Sequence, residues 1–96
     1  SMVIGICQLD LVLRDNHSLK EKRRVVKSII GRVKSKFNVS IAEVGNQDVW
    51  QSAQIGFCIA GNEKRFINSS LDNVIDFIED SNSAEIKHAE MEIITF

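Results

Sequence analysis

The sequence predicts an α+β fold in which four strands and two helices follow one another as βαββαβ. Three observations carry that prediction. Residues 18–37 and 63–80 repeat apolar side chains at spacings of three, four and seven, the period of a helix with one buried face. Residues 2–13, 39–44, 53–60 and 84–95 are rich in β-branched and apolar residues or alternate with period two, as strands do. No proline, repeat, linker or low-complexity segment interrupts the 96 residues, which make one domain spanning 2–96. Elements in this order form a split βαβ, or ferredoxin-like, plait. Its expected sheet has four antiparallel strands in order 4-1-3-2, with two helices on one face.

Met2–Leu13 is the first strand. Its odd positions Val3, Cys7, Leu9, Leu11 and Leu13 are the more uniformly apolar and belong under the helices, while Ile4, Ile6, Gln8 and Asp10 take the other side. Arg14-Asp15-Asn16-His17 is a polar connection into the first helix. A capping box opens that helix: the Ser18 hydroxyl accepts from the Glu21 amide, and the Glu21 carboxylate reaches back to the Ser18 amide. Leu19, Val26, Ile29, Ile30, Val33 and Phe37 share its buried face. Asn38 is expected to end it in a left-handed conformation.

Val39–Val44 alternates and is the second strand. Gly45–Ser52 is a turn region longer than a two-residue hairpin requires. Ala53–Ala60 is the third strand, with Ile55, Phe57 and Ile59 inward, and Asn62 is the expected cap of the second helix. That helix buries Ile67, Leu71, Val74 and Ile78. It carries Asp76, Glu79 and Asp80 at the end where the macrodipole disfavours acids. Ser81-Asn82-Ser83 turns into the last strand, Ala84–Thr95. Parity then places Ile4, Ile6, Gln8, Asp10, Ala42, Cys58, Ile86, His88, Glu90 and Glu92 on the sheet face away from the helices. A half-apolar open face of this kind marks a surface for self-association, so a homodimer through it is one expectation.

Charge is distributed very unevenly. Residues 18–37 hold eight Lys/Arg against one Glu, a net +7; the rest of the chain holds four against twelve, a net −8. The overall charge of −1 excludes a generic nucleic-acid binder and confines any such binding to the basic helix. Lys20, Arg24, Lys27, Gly31 and Lys34 fall in one stripe opposite the apolar face, with Arg23 beside it. The stripe covers roughly 20 Å of helix, long enough to follow several phosphates, and Gly31 at its middle admits a close backbone. The alternative is a solvated face built of good helix formers.

Cys7 and Cys58 lie in apolar runs, far apart and without a CxxC partner. They read as buried free thiols of a reducing compartment. No apolar run approaches the ~20 residues of a membrane span, and no charged leader precedes the first strand. A cytoplasmic protein with no membrane partner is expected.

Three blocks carry a resemblance to a known family. Ser18-Leu19-Lys20-Glu21-Lys22-Arg23-Arg24-Val25-Val26-Lys27-Ser28, Phe37-Asn38-Val39-Ser40-Ile41-Ala42-Glu43-Val44 and Gln47-Asp48-Val49-Trp50-Gln51 resemble, in that order, the YlxP-like bacterial proteins. These form a family of unknown function (domain of unknown function 503), and the similarity covers essentially the whole chain. The resemblance implies a ferredoxin-like fold in a bacterial cytosolic protein. It also implies a gene lying beside those for translation initiation factor two and ribosome-binding factor A. Gly45-Asn46 departs from the family, which is expected to carry an acidic residue and often a histidine there. No role for that histidine is carried over, and the resemblance transfers no catalytic residue.

A second constellation is Glu43, Gln47, Asp48, Trp50 and Gln51. An indole beside amides and carboxylates can stack on a base or flat ligand while Gln and Asp read its edge. Alternatively Trp50 folds over the end of the core as a lid, with Gln47 and Asp48 bonding loop amides. In this topology the start of the first helix and the hairpin tip need not be neighbours. A third constellation, Asp10, His88, Glu90 and Glu92, offers metal-type donors at period two but reads better as an ordinary charged strand. His17 is read as a loop residue beside the cap.

No metal or cofactor is expected. No Ser or Cys nucleophile has a His and acid at a recognisable spacing, and no Gly-rich phosphate loop is present. The leading expectation is therefore a non-enzymatic factor binding structured RNA or a ribosomal subunit through Lys20, Arg23, Arg24, Lys27 and Lys34. A dimeric interaction module using the open sheet face, and a small-ligand sensor or enzyme at the hairpin loop, stand as alternatives.

Overall fold

The computed structural model describes residues 1–96. Its elements are β1 (Val3–Val12), α1 (Leu19–Lys36), β2 (Ser40–Gly45), β3 (Ser52–Gly61), α2 (Lys64–Asp80) and β4 (Glu85–Thr95). The strands form one sheet in order β2-β3-β1-β4, every pair antiparallel. This is the expected order read from the opposite edge.

Alternation in the strands decides which face is covered. Val3, Cys7, Leu9 and Leu11 of β1 and Ala53, Ile55, Phe57 and Ile59 of β3 pack against Val26, Ile29 and Val33 of α1 and Ile67, Leu71, Val74 and Ile78 of α2. Gly5 sets how closely α2 can approach. A Cβ there would stand 2.5 Å from Cγ2 of Ile67 and 3.0 Å from Cδ1 of Leu71, so a larger residue would lift the helix off the sheet.

The helix ends depart from expectation in three places. Ser18 caps α1 as predicted, its hydroxyl accepting from the Glu21 amide at 3.1 Å. The Glu21 carboxylate, however, accepts from the His17 amide at 3.0 Å, one residue earlier than a capping box requires. Phe37 closes the helix in an extended conformation, and Asn38 is not left-handed; Asn46 and Asn82 are the non-glycine residues with positive φ. Glu63, not Asn62, occupies the N-cap of α2 and makes no side-chain cap bond. At the other end the Ser81 hydroxyl donates to the Ile78 carbonyl at 2.6 Å, satisfying a terminal acceptor that no basic side chain serves.

Two further expectations are corrected on the sheet. Cys58 is exposed, because it stands opposite Ile6 on the uncovered face while Cys7 stands opposite Phe57 in the core. Ile86 does not face outward. Asp10 pairs with His88 but Leu11 pairs with Ile86, so Lys87 is an extra residue that reverses the parity of the strand's first two positions. Ile86 therefore packs against the core, and Ile94, opposite Ile4, takes the outward apolar position in β4.

Candidate nucleic-acid interface

α1 is 18 residues, about 27 Å long, and turns its basic side away from the sheet. Lys20, Arg23, Arg24, Lys27 and Lys34 are all exposed. The protein forms two ion pairs, Arg14–Glu85 and Lys22–Glu43, so none of the five is neutralised by a neighbouring carboxylate. Gly31 is exposed, and nothing lies within 4 Å of where its Cβ would be. It floors a shallow groove lined by Lys27, Ser28, Arg32, Ser35 and Phe77. Arg32 lies 5.5 Å and Lys36 4.9 Å from the Phe77 ring centroid, and Phe37 meets Phe77 edge-on at 5.5 Å. These two cations are held over aromatic faces at the α1–α2 seam, whereas the stripe proper is free.

Lys22 is the exception on this helix, and the sequence reading overlooked it. It is fully buried. Its Nζ donates to the Asn46 carbonyl and lies 3.1 Å from Oε2 of Glu43. That carboxylate oxygen is buried without a hydrogen bond of its own, so its contact with Lys22 is coulombic and off the hydrogen-bond line. The same Asn46 carbonyl accepts from the Val49 amide at 3.0 Å, which closes the hairpin turn while Asn46 sits at a φ of 60°.

This ion pair changes the reading of the hairpin. Glu43 points inward to Lys22 and is not part of the exposed tip formed by Gln47, Asp48, Trp50 and Gln51. Trp50 is 40 % exposed and lies outside the core cluster, so it is not a lid over the core. It leans instead on the loop that leads into α1. Its carbonyl accepts from Nδ2 of the buried Asn16 at 3.4 Å, and its ring centroid is 6.4 Å from that of His17. The Leu13 amide donates to the Gln51 carbonyl at 2.9 Å, pinning the same two segments together. Thus the hairpin tip and the start of the basic helix, which the topology alone did not bring together, adjoin in one surface.

The open-face acids are more dispersed. Oδ1 of Asp10 accepts from Nε2 of Gln54 at 2.9 Å, and no set of three or more His, Cys, Asp and Glu side chains converges as metal donors. A cleft of about 380 Å³ lies on the far side of the β1–α1 loop, lined by Arg14, Asp15, Asn16, Glu79, Asn82 and Glu85 among others. Arg14 donates to Glu85 there at 2.8 Å, and that bond and the guanidinium charge hold the Glu85 carboxyl below its ordinary range. No helix is long and apolar enough to cross a membrane.

Comparison with known proteins places the chain. A family described as "Protein of unknown function (DUF503)" matches residues 4–91. The chain belongs to that family. It is 40 % identical over 77 residues to the uncharacterized protein YlxP of Bacillus subtilis (strain 168), an alignment covering 80 % of this chain and 84 % of that protein. Among solved structures, the de novo designed protein Foldit4 superposes with a TM-score of 0.58 at 20 % identity, covering 100 % of this chain and 99 % of the other. That likeness concerns the fold alone.

Proposed function

We propose that the chain is a non-enzymatic RNA- or ribosome-associated factor that grips phosphates with the outer face of α1 in the bacterial cytoplasm. One observation carries this reading: Lys20, Arg23, Arg24, Lys27 and Lys34 are exposed and unpaired along one helix of a chain whose overall charge is −1. Unpaired like charges on neighbouring turns repel one another and cost helix stability, so a solvated face gains nothing from concentrating them. A row of phosphates relieves that repulsion and releases counterions. Gly31 and the adjoining groove allow a backbone to come close at mid-helix, and Trp50 stands at the helix N-terminus where an unstacked base can rest on it.

Co-sedimentation with ribosomal subunits tests the reading. The protein should pellet with a subunit at low salt and be released as salt rises. Replacing Lys20, Arg24, Lys27 and Lys34 by Gln should abolish pelleting. Pelleting that survives this substitution would sink the proposal.

One observation favours a second reading. Ile4, Ile6, Ile94, Ala42 and Val44 form an apolar surface across the uncovered sheet face, with Ile6, Ile94 and Val44 each more than a third exposed. A second copy stacked on that face would bury it. Light scattering at high concentration separates this reading from a monomer, and an Ile6→Lys variant should abolish any dimer.

A further inference from the structure

The two edges of the sheet are unlike. β2 is six residues long and irregular between Glu43 and Gly45, which blunts it. β4 is eleven residues long, and after the bulge at Lys87 its segment from His88 to Thr95 pairs with β1 without interruption. Every second backbone donor and acceptor along those eight residues faces away from β1, leaving an open ladder of about 26 Å.

Side chains on both faces of this edge are also uncovered. On the helix side, Ala89 and Met91 continue the rows of the buried Leu9 and Cys7, yet both are exposed, with Met91 at 46 %. α2 reaches β4, and Ile86 and Ile93 pack against the core, but between them Ala89 and Met91 are left uncovered on this side. On the open side, Glu90 and Glu92 continue the rows of Gln8 and Ile6, and Asp10 stands opposite His88. From His88 to Thr95 the strand carries two acids and no Lys or Arg.

We infer that the β4 edge receives an extended segment of a partner protein that alternates basic and apolar residues and adds to the sheet as a fifth strand. Backbone bonding to the unpaired ladder supplies the common affinity of such additions, and the alternate side chains select the occupant. The basic residues face Glu90 and Glu92, and the apolar residues extend the Ala89–Met91 row. A second copy of this chain sets acid against acid in the two registers that centre on the acidic segment. In a two-fold pairing centred on Met91, Glu90 stands opposite the partner's Glu92; centred on Glu90, the two Glu90 side chains meet. Like charges directly opposed across strands destabilise the pair. The inference does not depend on RNA binding.

The probe is a blocked eight-residue peptide alternating Lys and Val, added to the full chain and followed by amide hydrogen exchange. Its controls are the same composition arranged in two blocks and the same sequence N-methylated at alternate residues. The outward amides of residues 88–95 should gain at least tenfold protection with the alternating peptide and none with either control. A Glu90→Lys/Glu92→Lys variant, which alters only exposed side chains and can be checked for folding by circular dichroism, should bind at least tenfold more weakly. Equal binding of the blocks peptide or of the variant overturns the inference. So does protection confined to other strands, no binding at millimolar peptide, or protection of β4 by self-association without peptide.

Discussion

At the scale of single residues, the Lys22–Glu43 pair is the most consequential contact in the protein. It joins α1 to β2 through the interior and ends on the Asn46 carbonyl that closes the hairpin. Removing Glu43 as Glu43→Ala strands a buried ammonium and should cost about 3 kcal/mol in urea unfolding, whereas Lys22→Met combined with Glu43→Leu should cost far less. A single mutant no worse than the double would contradict the assignment. Both charges were legible: Lys22 is in phase with Val26, Ile29 and Val33, and Glu43 shares the inward parity of Ile41. Reading them as a pair required knowing that α1 crosses β2, which pattern alone does not state. The cysteines divide in the same way. Burial pushes the Cys7 thiol up to about 11, and Cys58 is exposed, so a maleimide at neutral pH should label Cys58 alone. Because the folded state favours the neutral Cys7 thiol, its contribution to stability is complete below the ordinary thiol range. It should be lost as pH rises from there through about 11, a decline visible in the unfolding midpoint and absent in Cys7→Ala.

Elements were read more securely than their edges. Apolar period places all six, and their ends shift by at most one residue, as cap choice allows. What the pattern missed in β4 is one residue with a large consequence. The extra Lys87 reverses parity, turning Ile86 inward. Deleting Lys87 removes the extra residue and leaves Ile86 opposite Leu11 by ordinary alternation, so Ile86 stays inward, whereas Ile86→Ser should lower stability in urea unfolding by about 1 kcal/mol for the half-buried side chain. Alternation counts residues evenly and has no signal for a bulge. In α1, Gly31 sits exposed in mid-helix with no contact that needs it. Gly31→Ala should therefore raise stability by about 1 kcal/mol. If a phosphate backbone approaches there, the same change weakens RNA binding, and a stabilised variant with undiminished binding would place the ligand elsewhere on the helix.

Across the whole molecule, charge is sorted by element. The net +7 of residues 18–37 lies on α1, and all but two of the compensating acids, Asp10 of β1 and Glu43 of β2, lie on α2, the loops and β4. The fold keeps the two populations apart except at Lys22–Glu43, since Arg14 of the other ion pair lies outside α1. A chain close to neutral overall can thus present a cationic helix face and, on the far edge of its sheet, an acidic strand. The sequence carried this separation in full; it could not show that the Trp50 hairpin borders the helix start, because the Asn16 and Leu13 bonds that join them span more than thirty residues. The central claim is that α1 meets phosphates directly, and the salt dependence of RNA affinity tests it. With a structured duplex, log Kobs should fall linearly against log salt, and replacing Lys20, Arg24, Lys27 and Lys34 by Gln should flatten that slope by roughly 3 to 4, the share of four phosphate contacts. A slope that is the same in both proteins would contradict the account.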